Sequence, residues 1–397
     1  MAGCPVAGSI WDMLRFLTAG ESHGPGLVTI VEGMPAGLAF SAEDLAGELA
    51  RRRMGYGRGN RMKLERDELE IMGGVRHGYT LGSPVAVIVR NTEWSKWEEE
   101  MSPFPRYEPR RRMTAPRPGH ADLAGMIKYN THDARNILER ASARETAART
   151  VVGYLCKVLL AALDVSVFSH VVAIGEASAP DHPLPVPSDL KTIDQSPVRV
   201  FHSQAEAAMV AEIEAAKADR NTLGGVVEVL AYGLPPGIGS HVHWDRKLDG
   251  LLAGALMSIH AIKGVEVGDG HRSAARRGTV AHDEIFYEDE EGYFRETNRA
   301  GGTEGGITLG GILRVRAAMK PISTVMRPLN TVDVDTRQPK KAFRERSDVC
   351  AVPAAGVVAE QMVAFVLAQE VQRMVGGDTV EDLLAGWRSH WRKVERF

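Results

Sequence analysis

Two histidines stand where chemistry could be done. Gly20-Glu21-Ser22-His23-Gly24 sets a serine and a histidine in a turn that its glycines leave conformationally free. Adjacent residues rarely aim their side chains at each other for proton transfer, and no GxSxG elbow is present. Ser22 and His23 are therefore not read as nucleophile and base. By itself such a histidine is more often a structural hydrogen-bonder. Arg117-Pro118-Gly119-His120-Ala121-Asp122 places a second histidine beside arginines, with an acid two residues on. A histidine there is poised to donate a proton to an anion that the arginines hold. Alone, it is equally readable as an ordinary loop histidine.

The charge pattern favours an anion site. The net charge of −3 says little, but Arg51–Arg66 carries a local +6 and Arg106–Arg117 a local +4, leaving −13 for the rest. An acidic body with two basic segments suits a focused small-anion site better than a nucleic-acid surface. The other reading of such runs is solvated loop charge. Arg140, Arg144 and Arg149 open a helix whose first backbone N–H groups would favour a phosphate, although a capped helix with surface arginines fits as well. Gly301–Gly306 is too irregular for a dinucleotide or P-loop fingerprint. Lys320-Pro321-Ile322-Ser323-Thr324 offers one cation and two hydroxyls, and Arg346-Ser347-Asp348 pairs a cation with a carboxylate. Three cysteines without a CxxC, and His241 and His243 without a ligand set, lead us to expect no metal.

The elements that must position these groups are partly legible. Leu14–Thr18 and Leu27–Glu32 are expected as strands on either side of the first turn, and Pro84–Arg90 as a buried strand. Ser41-Ala42-Glu43-Asp44 caps a helix toward Arg53, and Ser142-Ala143-Arg144-Glu145 caps one running through Leu163. Five prolines from Pro103 to Pro118 exclude regular structure before His120. Further strands are expected at Val165–Ile174 and Gly225–Tyr232, and helices at Leu248–Ile259 and Ala354–Met374. Pro180–Pro187 is the one patch that would pass for a linker. Strands in pairs between long helices indicate α+β. At about 150 residues per domain, the length suggests two or three domains, or one unusually large one. The most apolar stretch, Val151–Gly175, is broken by Lys157 and Asp164, so no membrane span is expected. Without a secretory pattern at the start, and with so few cysteines, a cytoplasmic location is expected.

The order of the motifs says more than any one of them. Gly20-Glu21-Ser22-His23-Gly24, Arg51-Arg52-Arg53, Arg117 to Asp122, Ser142 to Ala147, Ser258 to Glu266, Lys320-Pro321 and Arg346-Ser347-Asp348 follow one another as they do in chorismate synthases. The chain resembles that family from about Leu14 to about Val375. It departs at Ala141, where relatives often carry serine, and at His260, where glutamine or asparagine is common. The resemblance implies one large catalytic domain over 14–376, a β-α-β sandwich of antiparallel sheets around long helices. Residues 1–13 would be an N-terminal extension and 377–397 a C-terminal tail, and the assembly a homotetramer.

The resemblance also implies a reaction. The family converts the small anionic substrate 5-enolpyruvylshikimate 3-phosphate to chorismate and phosphate, in the shikimate pathway to aromatic amino acids. It does so by anti-1,4-elimination on reduced FMN that is not consumed. By motif match His120 would protonate the departing phosphate, and His23 would stabilise the reduced flavin. Asp348 would receive a proton from the flavin, with Ser22 and Ser142 assisting. Arg140, Ala141, Ser142, His260, Ala261, Gly305, Lys320, Pro321, Ile322, Ser323, Thr324 and Arg346 match flavin-contacting stretches. Arg52 and Arg58 match a position tied to the substrate anion or to the phosphate of NADPH, a candidate reductant. Two other readings compete. A phosphate-dependent flavin oxidoreductase would want a dinucleotide fingerprint, which is missing. An RNA-binding protein would want aromatics among its arginines, and 51–66 offers only Tyr56.

Overall fold

Alternating apolar residues build the first sheet. In the computed structural model, residues 14–58, 67–105, 112–181, 183–290, 292–343 and 348–397 are described. The N-terminal extension, Arg346 and six basic-segment residues (Arg61, Lys63, Arg66, Arg106, Arg110, Arg111) lie outside them. Strands β1 (Arg15–Ala19), β2 (Gly26–Glu32), β3 (Glu68–Gly73) and β4 (Val85–Arg90) form an antiparallel sheet in the order β1-β2-β4-β3. Leu27, Thr29 and Val31 of β2 and Val85, Val87 and Val89 of β4 bury one face at the period of two that a pleated strand imposes. Gly20 closes the turn after β1 with φ +105°, where a Cβ would strike the Gly26 carbonyl, so only glycine turns the chain there.

Helices cover that face. Helix α1 (Ala42–Arg53) starts where the Ser41 hydroxyl accepts from the Asp44 N–H at 3.1 Å, with acids in its first turn and three arginines in its last. It buries Leu45 and Leu49. Ser142 also caps, but the chain first makes a 3-10 turn (Ala143–Glu145) before α2 (Thr146–Ala161). Helix α2 packs on β2 and on the long helix α3 (Val352–Val375). Gly153 lets α2 and α3 approach closely, because a Cβ there would strike Gln361.

The other side of α3 meets a second antiparallel sheet. Its strands β5 (Ser166–Ile174), β6 (Ala177–Ser178), β7 (Gly225–Tyr232), β8 (Ile262–Val267) and β9 (Leu313–Met319) lie in the order β8-β9-β7-β5-β6. Helix α3 packs on β5 and β7. One continuous apolar core runs from the first sheet through the helices to the second, so of the readings that length allowed the single large one holds, a body of antiparallel sheets and helices.

Three expectations change. Among the described residues the helix long and apolar enough to cross a membrane is α3 rather than the Val151–Gly175 stretch, and it is mostly buried in the fold. Its Glu360, fully buried, bonds Arg51 at 2.5 Å, Ser169 at 2.7 Å and Lys157 at 3.1 Å. Pro180–Pro187 is no linker, because Leu184 packs on Phe168, Ile193 and Leu230. Past Gly377 the chain forms helix α4 (Val380–Arg396), capped by Thr379, and its Leu383 and Trp387 join the main core.

Candidate active site

The first turn is tied down on all sides. Asn91 donates to the Gly24 carbonyl at 3.0 Å, and the Ser22 N–H to the Glu139 carbonyl at 3.0 Å. Ser22 and Ser142, 120 residues apart, bond hydroxyl to hydroxyl at 3.1 Å. His23 is buried, its Nδ1 2.9 Å from a Glu139 oxygen and its ring stacked on Trp97 with centroids 3.9 Å apart. Neither Glu139 nor Trp97 figured in the reading of the sequence. The i, i+4 spacing of Arg135 and Glu139, bonded at 2.9 Å, was the available signal.

His120 has an equally fixed partner. Its Nδ1 lies 2.5 Å from Asp122, which is wholly buried and also accepts from Arg117 Nε at 2.9 Å. Burial pushes the Asp122 carboxyl up, but hydrogen bonds from His120 and Arg117 outweigh it and hold it at about 2. Arg117 reaches on to the Thr324 hydroxyl at 3.0 Å, and Lys320 Nζ donates to the Gly119 carbonyl. The His120 loop and the 320–324 loop are thus one structure.

His260 joins the two histidine clusters. It stands 3.9 Å from Glu145, which accepts from Thr18 at 3.0 Å and Arg149 at 2.9 Å. Burial pushes the His260 ring's pKa down, Glu145 opposes, and the charges of Arg149, His120 and Arg140 lower it further. His120 and Arg140 are therefore within electrostatic reach of one imidazole. Its Nδ1 is buried without a hydrogen-bond partner among the described residues. Next to it Ala261 adopts φ +66°, a strained value for a residue with a Cβ, while its carbonyl accepts from the Lys320 N–H at 2.9 Å. Arg140 donates to the Thr18 carbonyl at 2.8 Å and the Gly20 carbonyl at 3.0 Å, so His260, the first turn and Lys320 surround one region.

The arginines divide. Arg51 belongs to the first basic segment, yet it bonds Asp194 at 2.7 Å, Glu48 at 2.9 Å and Glu360 at 2.5 Å, so its charge is met inside the fold and does not serve an anion site. Arg52, Arg53 and Arg144 converge on buried Asp67, at 3.9, 3.5 and 2.8 Å. Arg52 also approaches the Thr146 hydroxyl at 3.4 Å, beside Glu145. Arg58 pairs with Asp348 at 2.9 Å, whereas Ser22 and Ser142 bond each other rather than Asp348. Ala141 continues the backbone turn through a bond to Ile137 at 3.0 Å, and Ile322 accepts from Thr222 at 2.8 Å. Pro321 and Ser323 are carried by the 320–324 loop. Gly305 is not brought to this region: it turns a hairpin beside His241. A cavity of about 310 Å³ lies against the second sheet, lined by Glu228, Glu266, Arg314 and Arg316, and holds none of these residues.

The region therefore offers two clamped histidines, a third with an unspent buried nitrogen, and cations bonded to backbone carbonyls. Among the described residues no cluster of His, Cys, Asp and Glu could hold a metal. Known proteins are similar to this chain over nearly its whole length. The chorismate synthase family model matches residues 14–372. The chorismate synthase of Acidothermus cellulolyticus is 61% identical over 379 residues, covering 93% of this chain and 96% of that protein. That of Thermobifida fusca is 58% identical over 390 residues, covering 95% and 98%. A crystal structure titled as a chorismate synthase superposes with a TM-score of 0.78 at 41% identity, covering 97% of this chain and 99% of the other. With the motifs, the fold and these relatives in agreement over nearly the whole length, the chain belongs to the chorismate synthase family.

Proposed function

We propose that this site carries out the family's carbon–oxygen lyase reaction as an anti-1,4-elimination. The C3–O bond of 5-enolpyruvylshikimate 3-phosphate breaks with loss of phosphate, the C6–H bond breaks, and a new double bond makes chorismate. The observation that carries this reading is the state of Arg140 and Lys320. Both are held by backbone carbonyls, and neither has a carboxylate partner among the described residues. Positive charge fixed in place but not neutralised is what a phosphate or carboxylate ligand requires.

The residues fit reduced FMN as well. The orphaned His260 Nδ1, the strained Ala261 and the hydroxyls of Ser142, Ser323 and Thr324 suit a flat ligand with polar edges and a phosphate. Arg140, Ala141, Ser142, His260, Ala261 and Lys320 to Thr324 would hold it, with Arg346 as a further candidate. When bound, reduced FMN would lend an electron transiently and take up the hydrogen from a C6–H that is too weakly acidic for a side chain, ending in the oxidation state in which it began. His120, held through Nδ1 by Asp122, presents its other nitrogen as the acid for the leaving phosphate. His23, held by Glu139, serves the flavin side. Asp348, steadied by Arg58, is the proton acceptor, and Arg52 and Arg58 bind substrate anion or the phosphate of NADPH. We further propose that the two sheets and their helices form the family's β-α-β sandwich, that four chains assemble, and that the enzyme works in the cytoplasm. The thiols of Cys156 and Cys350, buried and unpaired, suit that compartment.

An anaerobic phosphate-release assay with chemically reduced FMN and no reductase tests the reaction. Many turnovers per flavin with no net flavin oxidation are expected. Oxidation in step with product would instead support an oxidoreductase.

A further inference from the structure

His23 closes a ring with three other side chains. The Glu139 carboxylate accepts from the His23 backbone N–H at 2.8 Å, and its two oxygens lie 2.9 and 3.0 Å from Nδ1. Arg135 donates to the same carboxylate at 2.9 Å, and its guanidinium lies 5.1 Å over the Trp97 ring. Trp97 in turn stacks on the His23 imidazole at 33°. Glu139 is 3% exposed. Burial pushes its carboxyl up, yet the bonds from His23 and the charge of Arg135 bring it below its ordinary value, so it stays ionised. An ionised carboxylate only accepts, so the His23 nitrogen facing it must carry the hydrogen.

We infer that Glu139 is a positioning residue for the reaction. It confines His23 to the Nδ1–H form, so that Nε2 is the atom through which His23 acts, while Trp97 and Arg135 hold the pair in place. A histidine's working nitrogen is set by the bond its other nitrogen makes. This assignment rests on the reading that His23 serves the bound flavin.

The test is nitrogen-15 NMR of histidine-labelled enzyme, with the His23 signal identified by its loss in His23→Asn, alongside anaerobic turnover. Neutral His23 is expected entirely as Nδ1–H in the wild type. In Glu139→Gln an Nε2–H population is expected, with kcat down by about 10–100-fold, the range for losing an orienting partner, and KM within about twofold. Glu139→Asp keeps an acceptor and is expected to restore the Nδ1–H form and most of kcat, which also covers a Gln variant that folds poorly. Pure Nδ1–H in Glu139→Gln overturns the assignment whatever the rate, as does loss of that form in Glu139→Asp. A tautomer switch with wild-type kcat overturns it too, and places the error in the role given to His23 rather than in the geometry. A wild type that releases no phosphate would instead sink the elimination itself.

Discussion

Replacing Asp122 by Asn separates what this carboxylate does for stability from what it does for His120. Asp122 is held at about 2 against an ordinary 3.8, chiefly by hydrogen bonds from His120 and Arg117 that overcome its burial. That difference corresponds to on the order of 2 kcal/mol of folding stability. Because the folded-state value is the lower one, the contribution is complete above pH 3.8 and lost as pH falls toward 2. At neutral pH Asp122→Asn forfeits it, which lowers the melting temperature by about 2–3 °C in a chain of this length. The catalytic effect is expected to be larger. An amide bonds His120 Nδ1 and Arg117 less well than a carboxylate, so the ring loses its defined tautomer. Phosphate release should slow by roughly 10²–10⁴-fold, as for loss of a general acid, with reduced FMN still bound. Since Asp122 acts through His120, the double variant with His120→Ala should be no slower than His120→Ala alone. Anaerobic single-turnover measurements on the three variants, with thermal melts on the same samples, check this. Additive losses, or a wild-type rate in Asp122→Asn, would refute the coupling.

Arg52→Ala should raise the KM for substrate roughly tenfold or more, since a charge-assisted hydrogen bond contributes about 1.5–3 kcal/mol, and the wild-type KM should rise with salt. An unchanged KM in steady-state assays would remove Arg52 from the site. Gly153→Ala should lower the melting temperature and leave kcat intact, because the new methyl meets Gln361 between α2 and α3. Overpacking of that kind costs about 1–3 kcal/mol, and an unshifted melt would show that the helices part freely.

Local physics is readable along the chain, and there the sequence by itself decided the structure. Strand β7 has the bounds read for it, Gly225–Tyr232, and Ser41 caps the helix that its spacing to Asp44 announced. Alternation and caps depend on neighbours within a few residues, so a linear pattern carries them. The motif order also carried the family, although it could not say which charges were available. Arg51 counted the same as Arg52 in the sequence, yet Arg51 is met by Glu360, 309 residues away, while Arg52 leans toward Thr146 and Asp67. His23 carried no trace of Glu139, 116 residues on, and His120 none of its link through Arg117 to Thr324. Such pairings belong to no local period. They arise because buried ionic groups must find partners wherever the core brings them together, and only the packed chain decides which partner is near.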